Sequence, residues 1–361
     1  MFELDIPLSD LPFSLKKKKK KEFYINVLND LTKHHHTNCI EYHKILNIFN
    51  FDIDKSHKVK DIPALPVRLF KKYNLKSVNQ EEIIKTMTSS GTSGQSVSKI
   101  YLDKMTATYQ TKVLTNILSE FIGKKRLPML VIDTKAILKD RNNFSARGAG
   151  ILGFSMFGHD ITYALDEDMK IDFDSIEKFL KKHENKDILV FGFTSIIWEH
   201  FHKALLDNKN KQINIKNGIL VHGGGWKKLQ NESVDSITFR EMIDKSCGIK
   251  RIHNYYGMIE QTGSIFMECE SGYLHCSNYS DIDIVDSNFE LCANNEKGLV
   301  KLYSLLPYSY PGHILLTEDR GEIVGEDNCT CGRNGKYFKI HGRVKNAEIR
   351  GCSDTYESKT K

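Results

Sequence analysis

The chain has 361 residues, 40% of them hydrophobic, and a formal net charge of +6. This length allows one large domain or two ordinary ones, and no apolar run approaches the roughly 20 residues that a membrane-spanning helix needs. The six consecutive lysines at 16–21 carry a charge equal to the net charge of the whole chain. Because no aromatic residues are interleaved with them, they predict a solvated, mobile stretch and no nucleic-acid partner.

The N-terminus and the cysteines indicate the compartment. The first residues lack the basic start and apolar stretch of a secretory signal. We therefore expect the eight cysteines to be thiols or metal ligands rather than disulfides, and the protein to be cytoplasmic. The run His34, His35 and His36 has no cysteine or carboxylate at ligand spacing, so we expect it at the surface.

The first chemical signal is the segment 88–99, which reads Thr-Ser-Ser-Gly-Thr-Ser-Gly-Gln-Ser-Val-Ser-Lys. Glycines let backbone amides point inward, and successive amides together with hydroxyl donors form an anion-binding nest. The run lacks the Gly-x4-Gly-Lys-Ser/Thr pattern of a P-loop. It predicts a phosphate-binding loop of another kind, with a flexible Ser/Gly linker as the alternative.

Downstream of this loop, short apolar runs alternate with amphipathic segments. Residues 127–133, 188–192 and 218–222 are typical of buried strands. Helical periodicity follows Asp174, which has capping-box spacing to Glu177, and also follows Thr194; a third helix ends at Gly248. The alternation predicts an α/β, doubly wound parallel sheet with functional loops at the carboxyl ends of its strands.

The last third of the chain follows another pattern. Residues 280–286 and part of 298–303 alternate with period two, which predicts a small antiparallel β region. Earlier, Gly148, Gly150 and Gly153 match Gly-x-Gly-x-x-Gly, but the residues before them are typical of a loop and not of a strand. They therefore predict a shaped loop rather than a dinucleotide site.

Three more segments carry chemistry: residues 253–262, which contain Tyr-Gly-Met-Ile-Glu, then Thr317-Glu-Asp319, then Gly342-Arg343. With the hydroxyl-rich loop, and in this order, they resemble the adenylate-forming superfamily of acyl-CoA ligases, luciferases and adenylation domains. Within it, the runs 222–228, 257–263, 329–333 and 349–353 resemble the acyl-protein synthetases of bacterial luminescence (LuxE type). The resemblance extends from about residue 62 to Ser353.

This resemblance implies an enzyme that uses ATP and Mg²⁺ to convert a fatty or other carboxylic acid to an acyl-adenylate. The acyl group would then pass to the enzyme's own cysteine, as a thioester for a partner acyl reductase or acyltransferase. Two alternatives stay open: a ligase that delivers the acyl group to CoA or to a carrier protein, and a catalytically silent nucleotide-binding scaffold.

The resemblance also implies roles for individual residues. Glu260 is expected to bind Mg²⁺, and Asp319 to accept hydrogen bonds from the ribose hydroxyls. Tyr256 and Gly257 line the adenine side, and Arg343 begins a hinge. The adenine edge and the ATP phosphates are assigned, respectively, to Gly223, Gly224 and Gly225, and to Thr88, Ser89, Ser90, Gly91, Thr92, Ser93, Gly94 and Lys99.

The chain departs from the superfamily pattern at two places. Ile259 stands where many members have threonine before the glutamate, so either Thr262 substitutes or a phosphate contact is lost. The sequence stops soon after the hinge, which predicts that the small C-terminal subdomain with its catalytic lysine is missing. Lys345 or Lys227 is then expected to supply the charge.

The cysteines receive two roles. Cys352, just past the hinge, is the expected acyl acceptor, because a thiolate is the nucleophile that forms a thioester. Cysteines and a histidine upstream have the composition of a structural Zn²⁺ site, with Cys276 as an alternative to the histidine. The expected zinc ligands are Cys269, His275, Cys329 and Cys331.

The predicted organisation has three parts. An N-terminal region spans residues 1–61, an adenylation core spans 62–340, and a hinge with an acyl-carrying tail spans 341–361.

Overall fold

A computed structural model describes residues 10–89, 96–138, 146–208 and 211–344. The helices in these ranges are α1 (Lys17–Asn38), α2 (Ile40–Ile48), α3 (Leu69–Lys72), α4 (Lys104–Ile122), α5 (Ala146–Ser155), α6 (Phe173–Lys182), α7 (Thr194–Ile196), α8 (Lys203–Asp207) and α9 (Ser236–Cys247). A π-helical turn, Ile197–His202, joins α7 to α8. Short 3₁₀ turns are Val59–Asp61, Gln80–Glu82, Lys135–Leu138, Lys227–Glu232 and Ile259–Gln261.

The strands are β1 (Leu65–Pro66), β2 (Ile83–Thr88), β3 (Lys99–Asp103), β4 (Leu127–Thr134), β5 (Gly158–Leu165), β6 (Ile188–Phe193), β7 (Gly218–Gly223), β8 (Arg251–Tyr256), β9 (Phe266–Glu268), β10 (Leu274–His275), β11 (Ser280–Val285), β12 (Gly298–Ser304), β13 (Ile314–Glu326) and β14 (Lys336–Arg343). The described residues form two compact units, the first with the residues up to Glu120 and from Tyr256 to Val344, the second with Phe121–Tyr255.

The second unit contains the predicted parallel sheet. Its strands lie in the order β8-β7-β6-β4-β5, and every neighbouring pair is parallel. Strands β6 and β7 are buried along their whole length, as their continuous apolar runs predict for a sheet covered on both faces. Residues of α6 and α9 pack on the face of Val190 and Leu220, and Phe154 of α5 stacks on Phe191.

Helix boundaries in this unit follow local capping chemistry. Helix α9 ends at Gly248, whose φ of 76° is the left-handed conformation that was predicted there. Helix α6 begins at a different residue from the predicted one. Asp172, and not Asp174, accepts the capping hydrogen bond from the backbone N–H of Ser175, at 3.0 Å, and also bonds the Ser175 hydroxyl.

The first unit contains the predicted antiparallel region. Its strands lie in the order β11-β12-β13-β14-β10-β9, with β1 pairing parallel to β13. Strands β2 and β3 form a separate antiparallel hairpin. Period-two alternation along β11 and β12 places Ile282, Ile284 and Val300 in one hydrophobic core, as the sequence predicts.

Two expectations of exposure are wrong. The lysine run begins α1, and Lys20 is buried with its Nζ donating to the carbonyl oxygen of Ser280 at 2.8 Å. His35 is fully buried, with its ring nitrogens 2.8 Å from Ser77 Oγ and 3.0 Å from the Pro307 carbonyl oxygen. Local composition cannot give these partners, because they come from distant parts of the chain.

Two other expectations are not tested. Residues 345–361 lie outside the described ranges, so the missing C-terminal subdomain stays a prediction, as does the division at residues 61 and 340. Within the described ranges, no helix combines the length and the hydrophobicity needed to cross a membrane.

The glycine pattern at 148–153 lies in helix α5 and not in a loop, so that prediction is wrong. A β-carbon on Gly150 would lie 2.8 Å from Cζ of the buried Phe193 ring. A β-carbon on Gly153 would meet no atom within 4 Å. Close packing, and not a dinucleotide, therefore accounts for glycine at position 150.

We expect opposite effects from alanine at these two positions. Gly150→Ala should lower the free energy of unfolding by about 1–3 kcal/mol, because the added methyl group overpacks the Phe193 ring. Gly153→Ala should raise it by about 0.5–1 kcal/mol, because alanine loses less backbone entropy in a helix. Urea unfolding followed by tryptophan fluorescence measures both, since Trp198 and Trp226 are in this unit. Equal tolerance of the two substitutions would contradict the packing explanation.

Candidate functional site

The hydroxyl-rich loop is carried by the β2–β3 hairpin of the first unit. Thr88 and Lys99 are partners in the strand register. Beyond them, the backbone N–H of Ser89 donates to the carbonyl oxygen of Ser98 at 3.1 Å, and the N–H of Ser98 donates to Ser89 Oγ at 2.9 Å. These bonds close the base of the loop. The remaining predicted phosphate ligands, Ser90, Gly91, Thr92, Ser93 and Gly94, lie outside the described residues.

The predicted magnesium ligand, Glu260, lies in the 3₁₀ turn Ile259–Gln261 and is only 8% exposed. The side-chain amide of Gln261 fixes this turn by donating to the Gly312 carbonyl oxygen at 2.8 Å. The hydroxyl of Thr262 donates to the carbonyl oxygen of Ile259 at 2.8 Å. The structure thus gives Thr262 a role in the turn, and its predicted phosphate contact stays a prediction.

The electrostatics of Glu260 are set by its burial. Burial raises the pKa of this carboxyl, while the neighbouring Ser98 side chain and the charges of Lys71 and Arg343 oppose the rise. Within the described ranges, no residue forms an ion pair with the carboxylate. A buried carboxylate of this kind is stabilised by a cation, so the residue fits the predicted role of a metal ligand.

Asp319 and Tyr256, both predicted to contact the nucleoside, are hydrogen-bonded to each other. The Tyr256 hydroxyl donates to Asp319 Oδ2 at 2.7 Å, and Arg343 Nε lies 3.5 Å from Asp319 Oδ1. Thr317 Oγ1 accepts the backbone N–H of Asp319 at 3.1 Å and donates to the carbonyl oxygen of Val300. The Thr-x-Asp spacing therefore positions the carboxylate through a hydroxyl bridge.

This carboxylate keeps the capacity to bind a diol. Burial raises the pKa of Asp319, and the Tyr256 hydrogen bond and the charge of Arg343 oppose the rise. Each carboxylate oxygen has two lone pairs, so one acceptor position per oxygen remains for a hydroxyl group. The ring of Tyr256 packs near Phe266 and Phe338, with centroids 6.0 and 6.4 Å away. Its predicted contact with adenine stays a prediction.

The three glycines predicted at the adenine edge lie at the end of β7 and directly after it, and a different feature of the structure accounts for glycine at each position. A β-carbon on Gly223 would lie 2.6 Å from the Tyr255 ring, and one on Gly224 would lie 2.8 Å from Phe193. Gly225 has a φ of 67° and open space at its β-carbon position. Close packing thus requires glycine at positions 223 and 224. Of the three, only Gly225 has both a left-handed backbone and open space where a ligand could approach.

Polar pairs also lie at the carboxyl end of the parallel sheet. His222 Nδ1 lies 2.9 Å from Thr194 Oγ1, and burial lowers the pKa of His222 to about 3, so the ring is neutral. The Arg147 guanidinium bonds both carboxylate oxygens of Asp133, and both side chains are buried. The sequence analysis missed this last pair, although Asp133 ends an apolar run at the sheet edge where functional groups were expected.

The candidate zinc ligands come together in the first unit. Cys269, His275, Cys329 and Cys331 each offer one ligand atom, and these atoms all lie within 4.8 Å of one another. Cys276 is not in this group. Lys345 and Cys352 lie outside the described residues, so their roles stay predictions, as does the choice between Lys345 and Lys227.

Sequence reasoning also missed the neighbours of Glu260. Ser98 and Lys71 influence its carboxyl from positions 162 and 189 residues earlier in the chain. The sequence did single out the serine, since it belongs to the hydroxyl-rich run. No sequence pattern singled out the lysine, because only the folding of the first unit brings it near Glu260.

We expect Glu260→Gln to increase stability in a pH-dependent way. The pKa of this carboxyl is raised in the folded protein, so ionisation costs stability. The cost begins as the pH rises above the unfolded pKa of roughly 4.3 and grows until the pH passes the folded pKa. Glutamine is neutral throughout. The variant should therefore be more stable than the parent at pH 7, and the difference should vanish below about pH 4.

Thermal unfolding by circular dichroism, without nucleotide or divalent metal, measures this difference. Glu290→Gln is the matched control, because that carboxylate is exposed and the change should have little effect. A Glu260→Gln variant that is less stable than the parent at pH 7 would show that the carboxylate is well paired in the folded protein.

Comparison with known proteins adds a family and a fold. The family model for the acyl-protein synthetase LuxE matches residues 3–360. Over 314 residues the chain is 27% identical to a long-chain-fatty-acid–luciferin-component ligase of Aliivibrio fischeri, covering 83% of this chain and 79% of that protein. A ligase with the same description from Vibrio harveyi is 23% identical over 307 residues, covering 82% and 77% of the two chains.

Among solved structures, an open conformation of 2-hydroxyisobutyryl-CoA ligase, in complex with 2-HIB-AMP and CoA, is similar with a TM-score of 0.66. The similarity covers 92% of this chain and 77% of that chain at 13% sequence identity, so it bears on the fold alone. It confirms the predicted α/β fold of adenylate-forming ligases.

Proposed function

Since the chain belongs to the LuxE acyl-protein synthetase family, we propose that it activates a fatty acid with ATP to form an acyl-adenylate. The observation that carries the proposal is the burial of the Glu260 carboxylate, with which no described residue forms an ion pair, in the same unit as the base of the hydroxyl-rich loop. Ser98, which closes the hydroxyl-rich loop, lowers the pKa of this carboxyl, and the charges of Lys71 and Arg343 act in the same direction without forming an ion pair with it. A site that combines a phosphate-type loop with a buried carboxylate that lacks an ion-pair partner suits a metal–nucleotide complex.

The chemistry requires charge neutralisation. The substrate carboxylate attacks the α-phosphorus of ATP, a new O–P bond forms, and the bond to the β-phosphate oxygen breaks so that pyrophosphate leaves with the electron pair. Both reactants are anionic, and bound Mg²⁺ supplies the Lewis-acid charge that offsets this repulsion. Glu260 would hold that ion, the loop amides and hydroxyls would bind the phosphates, and Asp319 would bind the ribose hydroxyls.

The second half-reaction is proposed at Cys352. Its thiolate attacks the acyl carbonyl carbon, the C–S bond forms, and the C–O bond to the phosphate breaks to release AMP. The description of the matching family as an acyl-protein synthetase supports a protein acceptor for the acyl group. A partner acyl reductase or acyltransferase would then take the acyl group from the thioester.

The nucleoside contact is tested by Asp319→Asn, measured as fatty-acid-dependent exchange of pyrophosphate into ATP. We expect a loss of about 10²-fold, because one preorganised contact to the nucleotide is weakened. The matched control is Asp283→Asn. Asp283 also accepts a tyrosine hydroxyl at 2.7 Å, from Tyr303, but lies outside the proposed site.

Equal exchange rates in parent and Asp319→Asn would contradict the ribose assignment. Absence of exchange in the parent protein, across fatty acids of different length, would favour the silent scaffold.

The acyl acceptor is tested by Cys352→Ser. We expect this variant to keep pyrophosphate exchange and to lose hydroxylamine-sensitive labelling by radioactive fatty acid and ATP, since serine lacks the thiol that forms the thioester. Mass spectrometry of the C-terminal peptide locates the acyl group. Cys292→Ser, at a half-buried thiol elsewhere, is the matched control and should label normally.

Undiminished labelling of Cys352→Ser, or an acyl group on another cysteine, would contradict the proposed acceptor. Formation of acyl-CoA by the variant when CoA is added would favour the ligase alternative.

A further inference from the structure

The four candidate metal ligands have the spacing of a tetrahedral site. Cys269 Sγ lies 3.9 Å from Cys329 Sγ, and Cys331 Sγ lies 3.4 Å from His275 Nε2. Sulfur and nitrogen ligands bound tetrahedrally to one zinc ion are separated by roughly 3.5–3.8 Å. All four atoms lie within 4.8 Å of one another, so a small inward movement completes the geometry.

Two of the cysteines sit at the start of matching turns. The backbone N–H of Gly272 donates to the carbonyl oxygen of Cys269 at 3.0 Å, and the N–H of Gly332 donates to that of Cys329 at 3.0 Å. The two glycines have φ angles of 80° and 81°, a conformation that glycine adopts without strain. The fold thus builds the same thiol-presenting turn twice, 60 residues apart.

The surroundings are those of a closed site. Cys269, His275 and Cys329 are buried and Cys331 is half-buried, so little room remains for a substrate at a fifth position. Three thiolates and one Zn²⁺ carry a net negative charge. Arg333 lies beside Cys331 and also pairs with Glu270, so a guanidinium is available to offset that charge.

The ligands join separate strands. Cys269 and His275 belong to the β9–β10 hairpin, and Cys329 and Cys331 belong to the loop between β13 and β14. Among these strands β10 pairs directly with β14, but the loop residues 327–335 have few backbone bonds of their own. A bound ion would tie this loop to the β9–β10 hairpin.

The same loop holds the N-terminal segment, residues 10–17. The Phe13 ring meets His275 edge-on with centroids 6.3 Å apart, and Arg333 lies 5.8 Å from the Phe13 centroid. The backbone N–H of Asn334 donates to the Phe13 carbonyl oxygen at 3.1 Å. His275, Arg333 and Asn334 therefore all contact one phenylalanine of this segment.

The contacts continue to the first turn of α1. Asp327 Oδ2 accepts the backbone N–H of Lys17 at 2.9 Å, and its Oδ1 accepts the N–H of Gly335 at 2.8 Å. Lys17 Nζ also pairs with Glu326 at 2.8 Å. The carboxylate of Asp327 therefore connects the β13–β14 loop to the first residue of α1.

We propose that Cys269, His275, Cys329 and Cys331 bind one structural Zn²⁺ and that this ion fastens the N-terminal segment to the antiparallel sheet. The ion holds the β13–β14 loop, the loop holds residues 13–17, and these residues start α1 and its lysine run. This inference does not depend on the proposed activity.

The metal is tested by elemental analysis of the full-length protein purified without added metal. We expect about one zinc per chain in the parent and in Cys292→Ser, and a loss in Cys331→Ser. Cys276→Ser should keep the ion, because its sulfur is outside the cluster. Thiol titration should show three additional reactive groups once a strong chelator is present.

Absence of zinc, or its replacement by iron, would overturn the site. Thiols that become reactive only after reduction, and not after chelation, would show a disulfide in its place and overturn it too.

The fastening role is tested by limited trypsin digestion, which has its targets at lysines 16–21. Removal of zinc by the chelator, or Cys331→Ser, should raise the cleavage rate there at least about tenfold, because local opening exposes the segment. Zinc added back should restore resistance in the parent and not in Cys331→Ser. A zinc-bound parent whose cleavage at these lysines is unchanged by chelation would overturn the fastening role.

Discussion

The antiparallel pairing of β13 with β14 is the constraint on which the first unit depends. At one end of this pair, the register places Asp319 opposite Arg343, and Asp319 Oδ2 also accepts the Tyr256 hydroxyl. At the other end, Glu326 pairs with Lys336 around the loop that carries Cys329 and Cys331. Two strands therefore hold both the predicted nucleoside contact and half of the proposed metal site. A slip of one residue along β13 would turn the side chains of this strand, Asp319 included, to the opposite face.

The predicted chemistry depends on two carboxylates that the fold largely shields from solvent. Burial raises the pKa of both Glu260 and Asp319, so each is held at some cost in stability when it is ionised. Binding sites often contain acids of this kind, because the ligand supplies the missing charge or hydrogen bonds. A divalent cation would do this for Glu260, and a ribose diol would do it for Asp319. The structure thereby separates these two acids from exposed ones such as Glu290.

Family membership and fold indicate different things about this protein. The family model spans nearly the whole chain, whereas the solved ligase shares the fold at 13% identity. One fold can host many functions, so the site and not the fold decides the acyl acceptor. The zinc proposal is independent of that question, because the cluster of ligands and the contacts of its loop with residues 13–17 are the same whatever the substrate is.

Much of the architecture was predictable because it is local. Continuous apolar runs identified β4, β6 and β7, period-two alternation identified β11 and β12, and the glycine at 248 marked the end of α9. The candidate site was predictable as a set of residue types, since each motif is contained in a few consecutive residues. A wrong cap at α6 shows the limit even of local reasoning, because Asp172 and Asp174 are equally good candidates until the backbone decides.

The sequence by itself therefore determined the class of fold, the family and the candidate site residues. Only the tertiary structure decided what surrounds them. It buried His35 and Lys20, which composition had placed at the surface, by supplying partners at Pro307 and Ser280. It also brought Ser98 to Glu260 and joined two cysteine turns 60 residues apart. Burial and long-range pairing depend on the folding of the whole chain, and no short stretch of sequence contains them.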